Sequence, residues 1–86
     1  MVNQVARQLA AEGLGWCGKV FISDVCERIA DGSMFFTPED VKAMLPGLAA
    51  EVLLAGADIV SELPADKAAK SKIVQGERVR YFVTLL

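Results

Sequence analysis

Histidine is absent from this sequence, and cysteine occurs only at Cys17 and Cys26. A structural zinc site takes four Cys or His ligands, so none is expected. The base that most often activates a serine or cysteine nucleophile is missing as well. Two cysteines in a chain whose start, MVNQVARQLAAEG, lacks the basic and apolar regions of a secretion signal fit a reducing compartment better than a disulfide scaffold. Aromatic residues make up 7%, with one Trp and one Tyr, and the apolar surplus lies in Ala, Val and Leu. That balance favours helix packing over a sandwich. The longest uncharged stretch in the middle is cut by Glu51 and Asp58, which rules out a membrane span there. A soluble, cytoplasmic chain is expected.

What is present suffices for one domain, expected to cover residues 1–86. A hydrophobic fraction of 53% is high for 86 residues. It supplies one compact core, although domains of this size often lean on a partner. The net charge of −2 excludes a strongly basic nucleic-acid binder. The charge is unevenly spread, however. Residues 37–63 hold Lys42 against Glu39, Asp40, Glu51, Asp58 and Glu62. Residues 64–86 hold Lys67, Lys70, Lys72, Arg78 and Arg80 against Asp66 and Glu77. An acidic middle is followed by a basic end.

The spacing of Val2, Val5, Ala6, Leu9 and Ala10 predicts a first helix over Val2–Glu12, closed by Gly13. Trp16 follows in a glycine-rich loop and is read as a lid on the core. The loop spells G-x-G-x-x-G from Gly13 to Gly18. It follows a helix and opens a strand stub, the reverse of a dinucleotide site, so it carries no such function. Lys19–Ile22 reads as that strand stub. Ser23 reads as the N-cap of a second helix over Asp24–Ala30, with Cys26 inward as a small hydrophobe and Arg28 outward.

The strongest start signal is Thr37-Pro38-Glu39-Asp40. Thr37 is the N-cap, Pro38 suits the first helical position, and Asp40 closes a capping box. Phe36, just before it, is expected to staple onto Val41 or Lys42. An apolar stripe of Val41, Met44, Leu45, Leu48, Val52 and Ala55 predicts a helix to Ala55, broken or kinked at Pro46. Near the end, Gln75-Gly76-Glu77 predicts a hairpin turn between Lys72–Val74 and Arg78–Leu85. Alternation there puts Val79, Tyr81 and Val83 inward and Arg78, Arg80 and Phe82 outward.

Helix, short strand, two helices and a terminal ribbon is an order that resembles the winged helix-turn-helix superfamily. The fold class expected is thus α+β: a small winged-helix-like domain of three or four helices plus a C-terminal β-hairpin. In that resemblance Thr37–Ala55 stands for the recognition helix, Ile59–Leu63 and Arg78–Leu85 for the wing strands, and Pro64–Glu77 for the wing loop. It implies a small DNA-binding regulator, dimeric, that touches duplex DNA mainly through a basic wing. Lys42, Lys67, Lys70, Lys72, Arg78 and Arg80 are the nucleic-acid-binding candidates.

The recognition segment departs from that pattern. As one continuous helix it would turn Ala43, Pro46, Gly47, Ala50 and Leu54 outward, with Glu39 beside them. Base edges are read by Arg, Lys, Asn, Gln, Ser or Thr, and this face has none. Small and apolar residues suit a protein surface better. The alternative expectation is therefore a winged-helix-like interaction or inhibitor module that leaves DNA alone. Its partner would be another protein or a second copy of the chain, met through those five residues. No catalytic group, cofactor or metal is expected under either reading.

Overall fold

The computed structural model describes residues 2–15, 18–48, 54–56 and 63–85. Four α-helices occur among them: α1 Val2–Leu9, α2 Ile22–Asp31, α3 Pro38–Met44 and α4 Ala65–Ser71. Five short strands accompany them: β1 Lys19–Phe21, β2 Leu54–Ala55, β3 Ile73–Gln75, β4 Arg78–Arg80 and β5 Phe82–Thr84.

The strands form two antiparallel sheets. One has the order β1-β5-β2, with Val20 opposite Val83, and Val83 opposite Leu54. The other is the β3–β4 hairpin, with Val74 opposite Val79. Tyr81 joins them: its N–H donates to the Ala55 carbonyl at 2.9 Å, and its carbonyl accepts from the Ile22 N–H at 3.0 Å. No helix of the described residues is long and apolar enough to cross a membrane.

Pleating divides the core into two layers around the central strand, because neighbouring residues point to opposite faces. Val20 and Val83 face the larger layer, with Val2, Ala6 and Leu9 of α1, Val25 and Cys26 of α2, and Val41 and Leu45. Phe21 and Phe82 face the smaller one, with Leu63, Ala68 of α4 and Tyr81. Their rings lie 4.8 Å apart between centroids and tilted by 39°. Such tilted aromatic pairs add to the burial itself. Helix, strand, helix, helix and a sheet closed by antiparallel C-terminal strands make a small α+β winged-helix-like architecture.

Several local expectations hold. Thr37 Oγ1 accepts from the Asp40 N–H at 3.2 Å, and Asp40 Oδ2 accepts from the Thr37 N–H at 3.1 Å, completing the capping box with Pro38 in the first turn. Gly13 sits at φ 89, where a helix commonly ends. Gly76 sits at φ 62 in the two-residue hairpin turn, a conformation that costs other residues about 1–2 kcal/mol. Cys26 is buried, 2% exposed.

Other expectations are corrected. The α geometry of the first helix stops at Leu9, and Ala10–Leu14 forms a widened last turn rather than α-helix to Glu12. The second helix starts at Ile22, so Ser23 lies inside it; Phe21 occupies the N-cap and offers no side-chain cap. The third helix ends at Met44 and tightens into a 3₁₀ turn over Leu45–Leu48, because Pro46 cannot donate and its ring crowds the carbonyl four residues back. Leu54 and Ala55 are strand, so the helix does not reach Ala55. Phe36, placed just before the capping box, is 47% exposed. Phe82 is 1% exposed, not outward, because β5 lies in the middle of a sheet covered on both faces, whereas Val79, expected inward, is 36% exposed and Arg80, expected outward, is half-buried on the face of Ile73. Pro64–Glu77 is not a loop: it holds α4 and β3. The positions expected to carry the core lid (Trp16), part of the helical stripe (Val52) and a wing strand (59–62) lie outside the described residues, as does Cys17.

Candidate functional site

Three surface features concern function. The first is the connection between α2 and α3. Its start is fixed by the Ser33 N–H, which donates to the Ala30 carbonyl at 3.0 Å. Ser33 Oγ then accepts from the Phe35 N–H at 3.1 Å. Its end is fixed by the Thr37–Asp40 capping box. Between these anchors Met34, Phe35 and Phe36 are 96%, 87% and 47% exposed. A backbone tied at both ends thus holds three large apolar side chains in water. Asp31, Glu39 and Asp40, all exposed, surround them in sequence, with no basic residue between Arg28 and Lys42.

The second feature is an open groove of about 510 Å³ between α2, the start of α3 and α4. Cys26, Glu27, Thr37, Glu39, Lys42 and Lys70 are among its lining. Two lysines and two glutamates leave it balanced in charge. Burial pushes the Cys26 thiol up to about 11, and nearby Lys42 only partly offsets this. A thiol so rarely ionised is a poor nucleophile. Thr37 Oγ1 is engaged by the helix start. Among the described residues no group of three or more His, Cys, Asp or Glu could hold a metal ion. The groove offers shape without reactive chemistry.

The third feature is α4 with the hairpin that follows it. Ser71 is fully buried, and its Oγ accepts from the Ser23 N–H at 2.9 Å. Four residues earlier on α4, Lys67 Nζ lies 3.0 Å from Asp24 Oδ2 and 5.4 Å from the centroid of the Phe21 ring. A hydroxyl and an ammonium from α4 therefore complete the first turn of α2, the role expected of Ser23's own side chain. On the hairpin, residues opposite one another share a face. Ile73, opposite Arg80, is buried; Val74 and Val79, opposite each other, are 62% and 36% exposed on the other face.

The six basic candidates are distributed over these features. Lys42 and Lys70 line the groove together. Lys67 is engaged by Asp24. Lys72 and Arg78 are exposed at the base and the turn of the hairpin, and Arg80 is half-buried on the face of Ile73. The five residues expected to share one helix face do not share it. Ala43 and Gly47 are exposed and Pro46 is half-buried; Leu54 is buried in β2, and Ala50 lies outside the described residues.

Sequence reasoning missed Ser71, the Asp24–Lys67 pair, and the two-pronged pairing of Arg28 with Glu12 at 2.6 and 2.7 Å. Each joins residues far apart in the chain, and local pattern carries no sign of them. The exposed apolar triplet was legible as a cluster, but its exposure was not.

The fold and these surfaces define a small winged-helix-like domain. No family model matches the chain, and neither a curated protein nor a solved structure does.

Proposed function

We propose that the protein is a winged-helix-like interaction module that docks a protein partner through Met34, Phe35 and Phe36. The exposure of these three consecutive side chains supports the reading. At about 200 Å² for each full side chain they present on the order of 450 Å², within the range that marks functional patches on single chains. Aromatic and methionine side chains are also the types enriched at interface cores. The short α3 supports the same choice. Its exposed residues include Glu39, Asp40, Ala43 and Met44, which do not read bases and in part repel phosphate.

A photo-crosslinking side chain placed at Phe35 tests this in cells that make the protein. Adducts are expected there and not with the same group at Gln8, an exposed position of α1. Equal yields at both positions would remove the proposal.

A second reading is supported by Lys70, Lys72 and Arg78, which are exposed on α4 and the hairpin and take part in no ion pair among the described residues. Here the domain contacts duplex DNA through phosphate alone. Each phosphate contact steepens the salt dependence of log K by about 0.9. Changing all three to Gln should flatten the slope on random duplex by roughly 2–3. No binding at low salt would end this reading.

A further inference from the structure

Of the three loop side chains, only Met34 can be turned reversibly from apolar to polar by a small oxidant. Oxygen added to its sulfur gives a sulfoxide, which dedicated reductases remove again. Susceptibility follows access, and Met34 is 96% exposed against 44% for Met44 at the end of α3. The backbone around Met34 is tied in place: the Ser33 N–H donates to the Ala30 carbonyl, and Ser33 Oγ accepts from the Phe35 N–H, a bond that spans Met34. The buried thiol competes poorly for the same oxidant. Cys26 is 2% exposed and pushed up to about 11, so little thiolate exists near neutral pH.

Resting on the reading of Met34–Phe36 as a docking surface, we infer that Met34 is a reversible oxidation site whose sulfoxide switches docking off. The oxidant is hydrogen peroxide. A sulfur lone pair attacks one peroxide oxygen, the O–O bond breaks and an S–O bond forms. The transferred hydroxyl gives its proton to the departing hydroxide, which leaves as water. Sulfur loses two electrons and the peroxide gains them. The new oxygen is a hydrogen-bond acceptor, and the side chains of Phe35 and Phe36 carry no donor for it. Buried in an apolar contact it goes unpaired, and binding weakens.

The test uses the purified full chain with the photo-crosslinking group at position 35. It is treated with hydrogen peroxide, quenched with catalase and dithiothreitol, and only then added to a lysate of the producing cells, so the partner meets no peroxide. Dithiothreitol restores oxidised thiols and leaves sulfoxide in place. Peptide mass mapping should show Met34 oxidised about twofold or more faster than Met44 in the folded chain, following their 96% and 44% exposure, with equal rates in urea. Crosslink yield should fall by about tenfold on oxidation, within the range that an unpaired buried acceptor gives. It should return after treatment with both methionine sulfoxide reductases, one for each epimer. In Met34→Leu, peroxide should leave that variant's own yield unchanged. Met34 oxidised no faster than Met44, or a yield that peroxide lowers equally in Met34→Leu, overturns the switch and leaves the docking loop standing. So does a yield that full oxidation of Met34 leaves unchanged. No crosslink from the untreated chain would remove the docking reading and the switch together.

Discussion

Replacing Ser71 with Ala should weaken the whole domain, although Ser71 only ends a short helix, four of whose seven residues are exposed. The hydroxyl is fully buried and accepts from the Ser23 N–H at 2.9 Å, in the first turn of α2. Ser23 is itself only 5% exposed, so water cannot take over the bond without opening the structure. A buried donor left without a partner costs about 1–3 kcal/mol. Loss of a helix cap costs about 0.5–2 kcal/mol. Both describe the same bond, and a loss of about 2 kcal/mol is expected. For a domain of this size each kcal/mol moves Tm by about 4–8 °C, so Tm should fall by about 8–16 °C. Thermal and urea unfolding followed by circular dichroism would measure it. Ser33→Ala provides the comparison, because that hydroxyl accepts a bond confined to an exposed turn; it should cost less than about 1 kcal/mol. Hydrogen exchange adds a spatial check. Ser71 is followed at once by β3, so amides of the hairpin should exchange faster along with those at the start of α2. A Tm shift for Ser71→Ala no larger than that for Ser33→Ala would refute the reasoning.

Two further outcomes concern titration. The Arg28 guanidinium, bonded to Glu12, holds its carboxyl below the ordinary value of 4.5. Stability from this pair is present above the ordinary carboxylate range and is lost as pH falls through the lowered value; in Arg28→Gln the NMR titration of Glu12 should move to higher pH, and an unchanged midpoint would contradict the pairing. Cys26, raised to about 11 from 9.0, stays protonated in the folded state after the unfolded thiol has ionised, so its contribution is present below about 9 and is lost as pH rises toward 11. In a Cys17→Ser background, alkylation near neutral pH should be roughly a hundredfold slower than in the unfolded chain, which two pKa units alone would give; rates within about twofold would contradict this burial.

The elements legible in the sequence are those decided by neighbours. Thr37, Pro38 and Asp40 act within one turn of helix, and Gly76 acts within one hairpin, so their signals survive without tertiary context. Lys19–Phe21 was legible as a strand for the same reason. The elements that escaped are decided at a distance. Ser23 looks like a cap because its side chain suits one, yet a residue 48 positions away completes the helix start in its place. Leu54 and Ala55 fit a helical stripe, but pairing with β5 makes them strand. Alternation fails at Phe82 because the ribbon leaves the hairpin at Tyr81 and enters a sheet with apolar layers on both sides. Of the candidate surface, the apolar composition of Met34–Phe36 was readable and its exposure was not. An apolar run before a helix is normally folded in, and only the positions of α2 and α3 leave this one outside.

The order β1-β5-β2 also bears on how the chain reaches this state. β1 and β2 do not touch each other as sheet partners; β5, made after both, joins them. A chain emerging from the ribosome with its first residues leading can form α1, α2 and α3 early but has no three-stranded sheet until residues 82–84 are free. Until then the inner sides of Val20 and Phe21 lack the Val83 and Phe82 they later pair with. Closure of a sheet by its latest strand raises the sequence separation of native contacts and slows folding relative to a helical bundle of equal length. It also makes every intermediate lacking β5 an exposed pair of strand edges, the form of chain most prone to wrong pairing.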